Sequence, residues 1–416
     1  MHGPLDLNGH STTFDRIVAL DLGKFNSVAC IYDPTTQQHV FKSINTSPQT
    51  VHDLLAEHAG GGGADPSRVL VIFETCDAAG WVHDVAAALG FAVVVANPCD
   101  EAWRWRKVKR KTDRDDALKL VRLALVGQLR GVHMPAPQQR QKRRLIHHRK
   151  ALVERQTETK NTIRSIFSQQ GLSHELPRGH ALWSKVGVAQ LLSAHARPLA
   201  ECEVDDLWRG RLHVELELLE ALAGQIAIVD RKLEELGRGD DRVKLLQTVP
   251  GVGPRLAEAV VAHLDDPHRF KNARQVSAYA GLVPKQLESG TMKRVGRITH
   301  QGPSLLRGLL VEVAWMAYRH NAWAKSFVQR VSRGMKQRKK IAVVALARKL
   351  LVRLWAMLRD NTAWRDPCHP CQQDNNGDGE GEGEDARCAR GGGGLSPPED
   401  TARVTALSSA VGVAMG

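Results

Sequence analysis

Residues 16–22 read RIVALDL, an apolar, β-branched run that stops at an acidic residue, Asp21. Such a run reads as a strand, with the carboxylate at its exposed end. Working outward, Ser27–Tyr32 forms a second strand after a glycine-containing turn, and His39–Ser43 a weaker third. Val69–Phe73 (VLVIF) is a continuous apolar run, the pattern of a strand buried on both faces. Ala78–Leu89 reads as a helix, Phe91–Ala96 (FAVVVA) as another buried strand, and Asp113–Leu129 as a helix. A hairpin-like start followed by β-α-β units predicts a mixed α/β sheet with helices packed on it. Gly60–Gly63 reads as a flexible insert before the central strand.

From Pro135 the pattern changes to long helices. Residues 138–170 carry a dense basic cluster that includes Arg143, Arg144, His147, His148 and Arg149. Leu207–Leu236 has heptad-like apolar spacing, which predicts an antiparallel or intermolecular coiled coil. A further, mainly α-helical region covers about Val243–Arg359. Beyond about Asp366 the chain turns Gly/Asp/Glu-rich and then Gly/Pro/Ser-rich, a composition expected to be disordered. The predicted division is an N-terminal extension (1–14), a catalytic α/β domain (15–132), a helical linker (133–242), a C-terminal domain (243–360) and a tail (361–416).

The chain has 416 residues, 42% apolar and 25% charged, as for ordinary globular proteins. Its net charge is +13 and its pI about 9.6, a balance that favours a polyanionic partner, of which nucleic acid is the commonest. Seven scattered cysteines argue for a reducing compartment. The start, Met1–Asp15, lacks a secretory pattern and no apolar run reaches membrane-spanning length, so the expected location is cytoplasmic, nucleoid-associated when bound to DNA.

Four acids stand at positions where charge is costly without compensation. Asp21 ends the first strand and Glu74 ends the buried strand in VIFETC. Asp113 and Asp116, three apart at a helix start, project from one helical face. A divalent cation would offset such charges. Four carboxylates suffice for two Mg²⁺ ions about 4 Å apart, the arrangement that activates an attacking oxygen and stabilises a leaving one. The plainer alternative makes Asp113 an N-cap, Asp115 and Asp116 dipole partners of the first turn, and Asp21 a turn residue.

The stretch WRWRKVKRK at 103–111 directly precedes the acidic pair. Its cations Arg104, Arg106, Lys107, Lys109, Arg110 and Lys111 can neutralise phosphates, while Trp103 and Trp105 offer stacking surfaces. The alternative is a solvated helix face. Further on, LQTVPGVGP at 246–254 reads as a helix-hairpin-helix-like turn in which Gly251 and Gly253 free backbone N–H groups for a phosphate, or else as a plain tight turn. Ser289 lies in a Glu-Ser-Gly loop followed by Lys293, Arg294 and Arg297. A serine that attacks phosphorus needs such an exposed position and nearby positive charge, although serine before glycine is also an ordinary turn residue. Arg307 and the Lys336–Lys340 cluster add positive surface.

Taken together, DLGK, a strand ending in Glu, KTDRDDA, and then TVPGVGP, AYAGLVP, SG, GRIT and LR resemble the DEDD-type transposases of the IS110/IS1111 kind, from about Ile17 to Arg359. The resemblance implies a RuvC-like (RNase H-fold) N-terminal domain, a coiled-coil linker and a C-terminal transposase domain. It places the family's four acids on Asp21, Glu74, Asp113 and Asp116, and its serine, expected to form a phosphoserine link to DNA, on Ser289. It further implies a homodimer pairing into a tetramer. The family is also known for a structured RNA from the element's flank that guides target and donor choice. Pro303, where relatives often carry Asn or Asp, departs from the pattern, as do the Gly60–Gly63 insert and the tail.

Three rival readings remain at the level of sequence. A Holliday-junction resolvase would share the fold and metals but would not need Ser289. A sugar kinase or ATPase of the actin-like kind would open similarly but needs glycine-rich phosphate loops that are not found. A non-enzymatic nucleic-acid-binding protein would not need Asp21. Cys368-His-Pro-Cys371 lacks a properly spaced second pair and reads as non-functional.

Overall fold

The strand at 16–21 is the third of a central five-stranded sheet in the computed structural model, which describes residues 5–7, 10–12, 14–59, 65–97, 112–289 and 292–365. A short hairpin, β1 (Leu5–Leu7) and β2 (His10–Thr12), precedes it. The sheet comprises β3 (Arg16–Asp21), β4 (Asn26–Tyr32), β5 (His39–Asn45), β6 (Val69–Glu74) and β7 (Ala92–Ala96), in the order β5-β4-β3-β6-β7. The first three in sequence run antiparallel; β3, β6 and β7 run parallel.

Alternation along β3 and β6 divides their side chains between two apolar layers. Val18, Leu20, Val71 and Phe73 pack under α1 (Pro48–Ala59) and α2 (Ala79–Ala88). Ile17, Ala19, Leu70 and Ile72 pack under α3 (Asp113–Leu125). Helix α1 has no counterpart in the sequence reading. Helix α3 ends four residues before the predicted Leu129, because Gly127 takes a left-handed conformation (φ +65°) and breaks the helical path.

Two long helices follow, α4 (Pro137–Gln169) and α6 (Leu207–Arg238), with α5 (Lys185–His195) in the connection between them. They lie antiparallel in one chain: Arg149 pairs with Asp230 at one end, and Phe167 meets Trp208 at the other. Ile163, Ile166 and Phe167 interlock with Leu212, Leu216 and Leu219 in a core of their own.

The largest apolar cluster joins the other end of this pair to α7 (Asp241–Gln247), α8 (Pro254–Leu264), α9 (Ala273–Tyr279), α10 (Ser304–His320), α11 (Ala322–Ser332) and α12 (Lys339–Asp360). A hairpin, β8 (Pro284–Ser289) and β9 (Met292–Ile298), interrupts this otherwise helical region. No helix among the described residues is long and apolar enough to cross a membrane.

Candidate functional site

Strand register places the first two candidate acids. The parallel pairing of β3 and β6 runs through Leu20 and Phe73, so Asp21 and Glu74 are the next residues of the same ladder, on neighbouring strands about 4.8 Å apart. Both follow the phase of Ala19 and Ile72, which directs them to the side of the sheet covered by α3. Both are partly buried.

Helix α3 contributes the other two from its first turn. Ala117, Leu120, Val121 and Ala124 form its buried stripe, and Asp113 and Asp116 continue that stripe by steps of three and four. Asp116 is buried at 8% exposure, whereas Asp113 is exposed. Thr112, not Asp113, is the N-cap: its hydroxyl accepts from the Asp115 N–H, and the Asp115 carboxylate accepts from the Thr112 N–H. Asp115 therefore helps fix where the helix begins and so how Asp113 and Asp116 are aimed.

The donor chemistry, carboxylate oxygens only, suits a hard divalent cation. The side chains, however, share the α3 side of the sheet without closing on a point. Among the described residues no group of three or more His, Cys, Asp or Glu is arranged to hold an ion.

Ser289 is the last residue of β8, paired with Met292, and not in an open loop as the sequence suggested. Lys293 and Arg294 follow on β9, opposite Glu288 and Leu287, with Arg297 exposed near its end. Trp103–Lys111, with Arg104, Arg106, Lys107, Lys109, Arg110 and Lys111, lies outside the described residues. Gly251 (φ +87°) and Gly253, the N-cap of α8, sit in the turn after α7, and a Cβ at either would meet open space.

Several of the candidate nucleic-acid arginines are engaged within the chain. Arg143 donates to the Ala262 and His263 carbonyls, closing the C-terminal end of α8. Arg149 grips Asp230 with two bonds of 2.6 and 3.1 Å. Arg307 donates to the carbonyls of Ala280 and Gln301 at 3.0 and 3.2 Å. Arg144 and His148 stay exposed on α4, while His147 lies edge-on to His263.

Arg307 explains the paired glycine motifs. It ties together two loops that pass so closely that a Cβ on Gly302 (φ +80°) would fall 1.8 Å from the Tyr279 carbonyl. One on Gly281 (φ +66°) would fall 2.1 Å from the Gln301 carbonyl. Pro303 follows as the N-cap of α10 with an ordinary φ of −68°, so its ring fits the helix start.

The sequence reading missed a buried ionic cluster where α4, α6 and α8 meet. Arg255 lies 3.1 Å from Asp230 and 3.2 Å from Glu258, whose side chain is only 6% exposed. Neither carboxylate oxygen of Glu258 has an aligned hydrogen bond among the described residues, and burial pushes its pKa up to about 7, against the pull of Arg255. On α8 also, burial and then Arg143 push His263 down to about 3.

The two groups act on stability in opposite directions. Glu258 binds its proton more tightly folded than unfolded, so its contribution is full below the ordinary 4.5 and is lost as pH rises through 7. His263 contributes fully above 6.5 and loses that contribution as pH falls towards 3. Glu258→Gln removes only the first effect. Its unfolding free energy relative to wild type should rise by about 2–3 kcal/mol between pH 4.5 and 7, at about 1.4 kcal/mol per unit. Urea denaturation across that range measures it; parallel profiles for the two proteins would exclude the raised pKa.

Comparison with known proteins places the chain in a family. Residues 243–329 match the transposase family described as IS116/IS110/IS902, and residues 18–170 match a second family described as transposase, of the DEDD, IS110 kind. A putative transposase of Sinorhizobium fredii is 30% identical over 298 residues, 66% of this chain and 73% of that protein. A probable family 20 transposase of Pseudomonas aeruginosa is 32% identical over 257 residues, covering 61% and 74% respectively. The transposase of insertion sequence element IS1111A from Coxiella burnetii is 26% identical over 309 residues, covering 71% and 79%. The chain belongs to the IS110-type transposases, the IS116/IS110/IS902 family.

Proposed function

We propose that this transposase cuts and rejoins DNA strands at a site formed by Asp21, Glu74, Asp113 and Asp116, with Ser289 as nucleophile. The observation that carries the proposal is the parallel register that sets Asp21 beside Glu74 on the side of the sheet covered by α3, in a chain of this family. The strand order, an antiparallel trio continued by two parallel strands, supports a RuvC-like (RNase H-like) reading of residues 15–132. The antiparallel α4–α6 pair supports a coiled-coil linker within 133–242, and the α7–turn–α8 arrangement supports a helix-hairpin-helix-like element in the C-terminal domain, 243–360.

Bound Mg²⁺, two ions for four carboxylates, would stabilise charge on the attacking and leaving oxygens. Asp21, Glu74, Asp113 and Asp116 would hold those ions through their carboxylate oxygens. In the covalent step the Ser289 hydroxyl oxygen bonds to phosphorus as the bond to one sugar oxygen breaks. The serine's proton passes to solvent and the departing oxygen leaves as a hydroxyl. The phosphoserine ester keeps the phosphodiester's energy, so the reverse attack by another strand's hydroxyl rejoins DNA without a further cofactor.

Partners in this reading are element ends, target DNA, a structured guide RNA and further copies of the chain. Incubating the protein with Mg²⁺ and supercoiled DNA carrying element ends should trap a protein–DNA adduct under denaturing quench. Ser289→Ala should abolish the adduct and strand exchange while DNA affinity stays within about twofold. An adduct that survives the substitution removes Ser289 from the mechanism and favours a resolvase-like hydrolysis.

A further inference from the structure

Between Glu312 and Asp360 the chain has no acidic residue but twelve lysines and arginines. Crowding like charges costs folding stability unless an anion answers them. The structure gathers four of them, Arg319, Lys325, Lys336 and Lys339, around one cavity of about 460 Å³. It lies between the end of α10, α11, the turn at 333–338 and the start of α12. Arg319, Lys325 and Lys336 are exposed, and none of the four pairs with a carboxylate among the described residues. Lys339 is held 4.6 Å from the Tyr318 ring centre, which fixes one cation at the mouth.

The cavity is not only cationic. Tyr318, Val328 and Met335 give it an apolar wall, and Met335 is 43% exposed. A lone phosphate would leave that wall in water and most of the volume unfilled. A duplex can answer the cations but keeps its bases stacked inside. An unpaired nucleotide uses both parts: its base lies against the Tyr318–Met335 wall while its flanking phosphates meet the rim.

We propose that this cavity is a binding site for single-stranded nucleic acid, holding one unpaired nucleotide. It rests on the nucleic-acid-acting function proposed above but uses none of the four acids and not Ser289. The shared chemistry is a base on a phosphodiester strand, of DNA or of RNA.

Fluorescence anisotropy with the full-length protein tests it, using a 20-nucleotide mixed-sequence DNA strand, its duplex and the RNA of the same sequence over a KCl series. Lys336→Gln/Lys339→Gln should weaken single-strand binding about tenfold and lower its log–log salt slope by about 1.4, as for two lost phosphate contacts on a single strand. Tyr318→Leu should weaken it about fivefold with the slope unchanged. Duplex binding should change less than twofold in both. Arg178→Gln/Lys185→Gln, which removes two exposed cations elsewhere, is the control for net charge, and thermal melting verifies folding. Tighter binding of one strand type under the same variants names that strand as the occupant. If the Lys336/Lys339 variant matches the control, or duplex binding falls equally, the site is refuted while the proposed function stands. If the wild-type chain binds none of the three probes, both fall.

Discussion

Asp21→Asn and Glu74→Gln are each expected to lower DNA strand cleavage by at least about a thousandfold, some 4 kcal/mol of transition-state stabilisation. Each substitution keeps the size of the side chain and removes a negative charge from the strand ends where the parallel ladder sets the two acids side by side. Folding should be retained, because the ladder and the layers beneath it involve Leu20, Phe73 and their neighbours, not the carboxylates. Asp113→Asn is expected to act in the same direction. Asp115→Asn is expected to act less and through α3, since it weakens the cap with Thr112. The readout is Mg²⁺-dependent nicking and joining of DNA carrying element ends, beside circular dichroism. Cleavage at the wild-type rate in either Asp21→Asn or Glu74→Gln would remove that acid from the site.

Gly302→Ala should be strongly destabilising, lowering stability by about 3 kcal/mol or more and the melting temperature by roughly 4 °C. Two effects add. The left-handed conformation at φ +80° disfavours any side chain, and the new Cβ would meet a backbone carbonyl, Tyr279, at 1.8 Å. Backbone on both sides leaves no flexible group to give way, and Arg307 holds the facing loop through Ala280 and Gln301. Gly127→Ala separates the two effects. Its φ of +65° is similar, but nothing lies within 4 Å, so about 1 kcal/mol is expected. Equal losses in the two variants, measured by calorimetry, would mean that the loop contact contributes nothing.

The parts legible in the sequence are those set by local periodicity. RIVALDL and VLVIF give two strands because alternation and β-branching are local, and both stretches lead into the acids at the C-terminal ends of those strands. The helical phase likewise puts Asp116 on the buried stripe of α3 and Asp113, which is exposed, in line with it. Helix α1 was not visible because PQTVHDLLAEHA has only a thin apolar stripe beside polar residues. Arg143, Arg149 and Arg307 read as surface charge, yet each is fixed by oxygens distant in sequence, 119 residues away for Arg143 and Ala262. A basic run reports charge but not its partners. The hairpin of β8 and β9 is masked in the sequence by the polar residues of KQLES and MKRVGRI, which resemble a loop in composition.

The first turns of α4 have a consequence for dissecting the protein. Arg140 reaches back to Asp84 on α2, while Gln139 and Arg143 reach forward to the carbonyls that end α8. One short stretch of helix thus anchors the sheet on one side and the C-terminal helices on the other. A fragment stopping at residue 132 would leave Asp84 without its guanidinium, and one starting after 150 would uncap α8. Expression of either half in isolation should therefore give less soluble material than fragments that both keep residues 133–150.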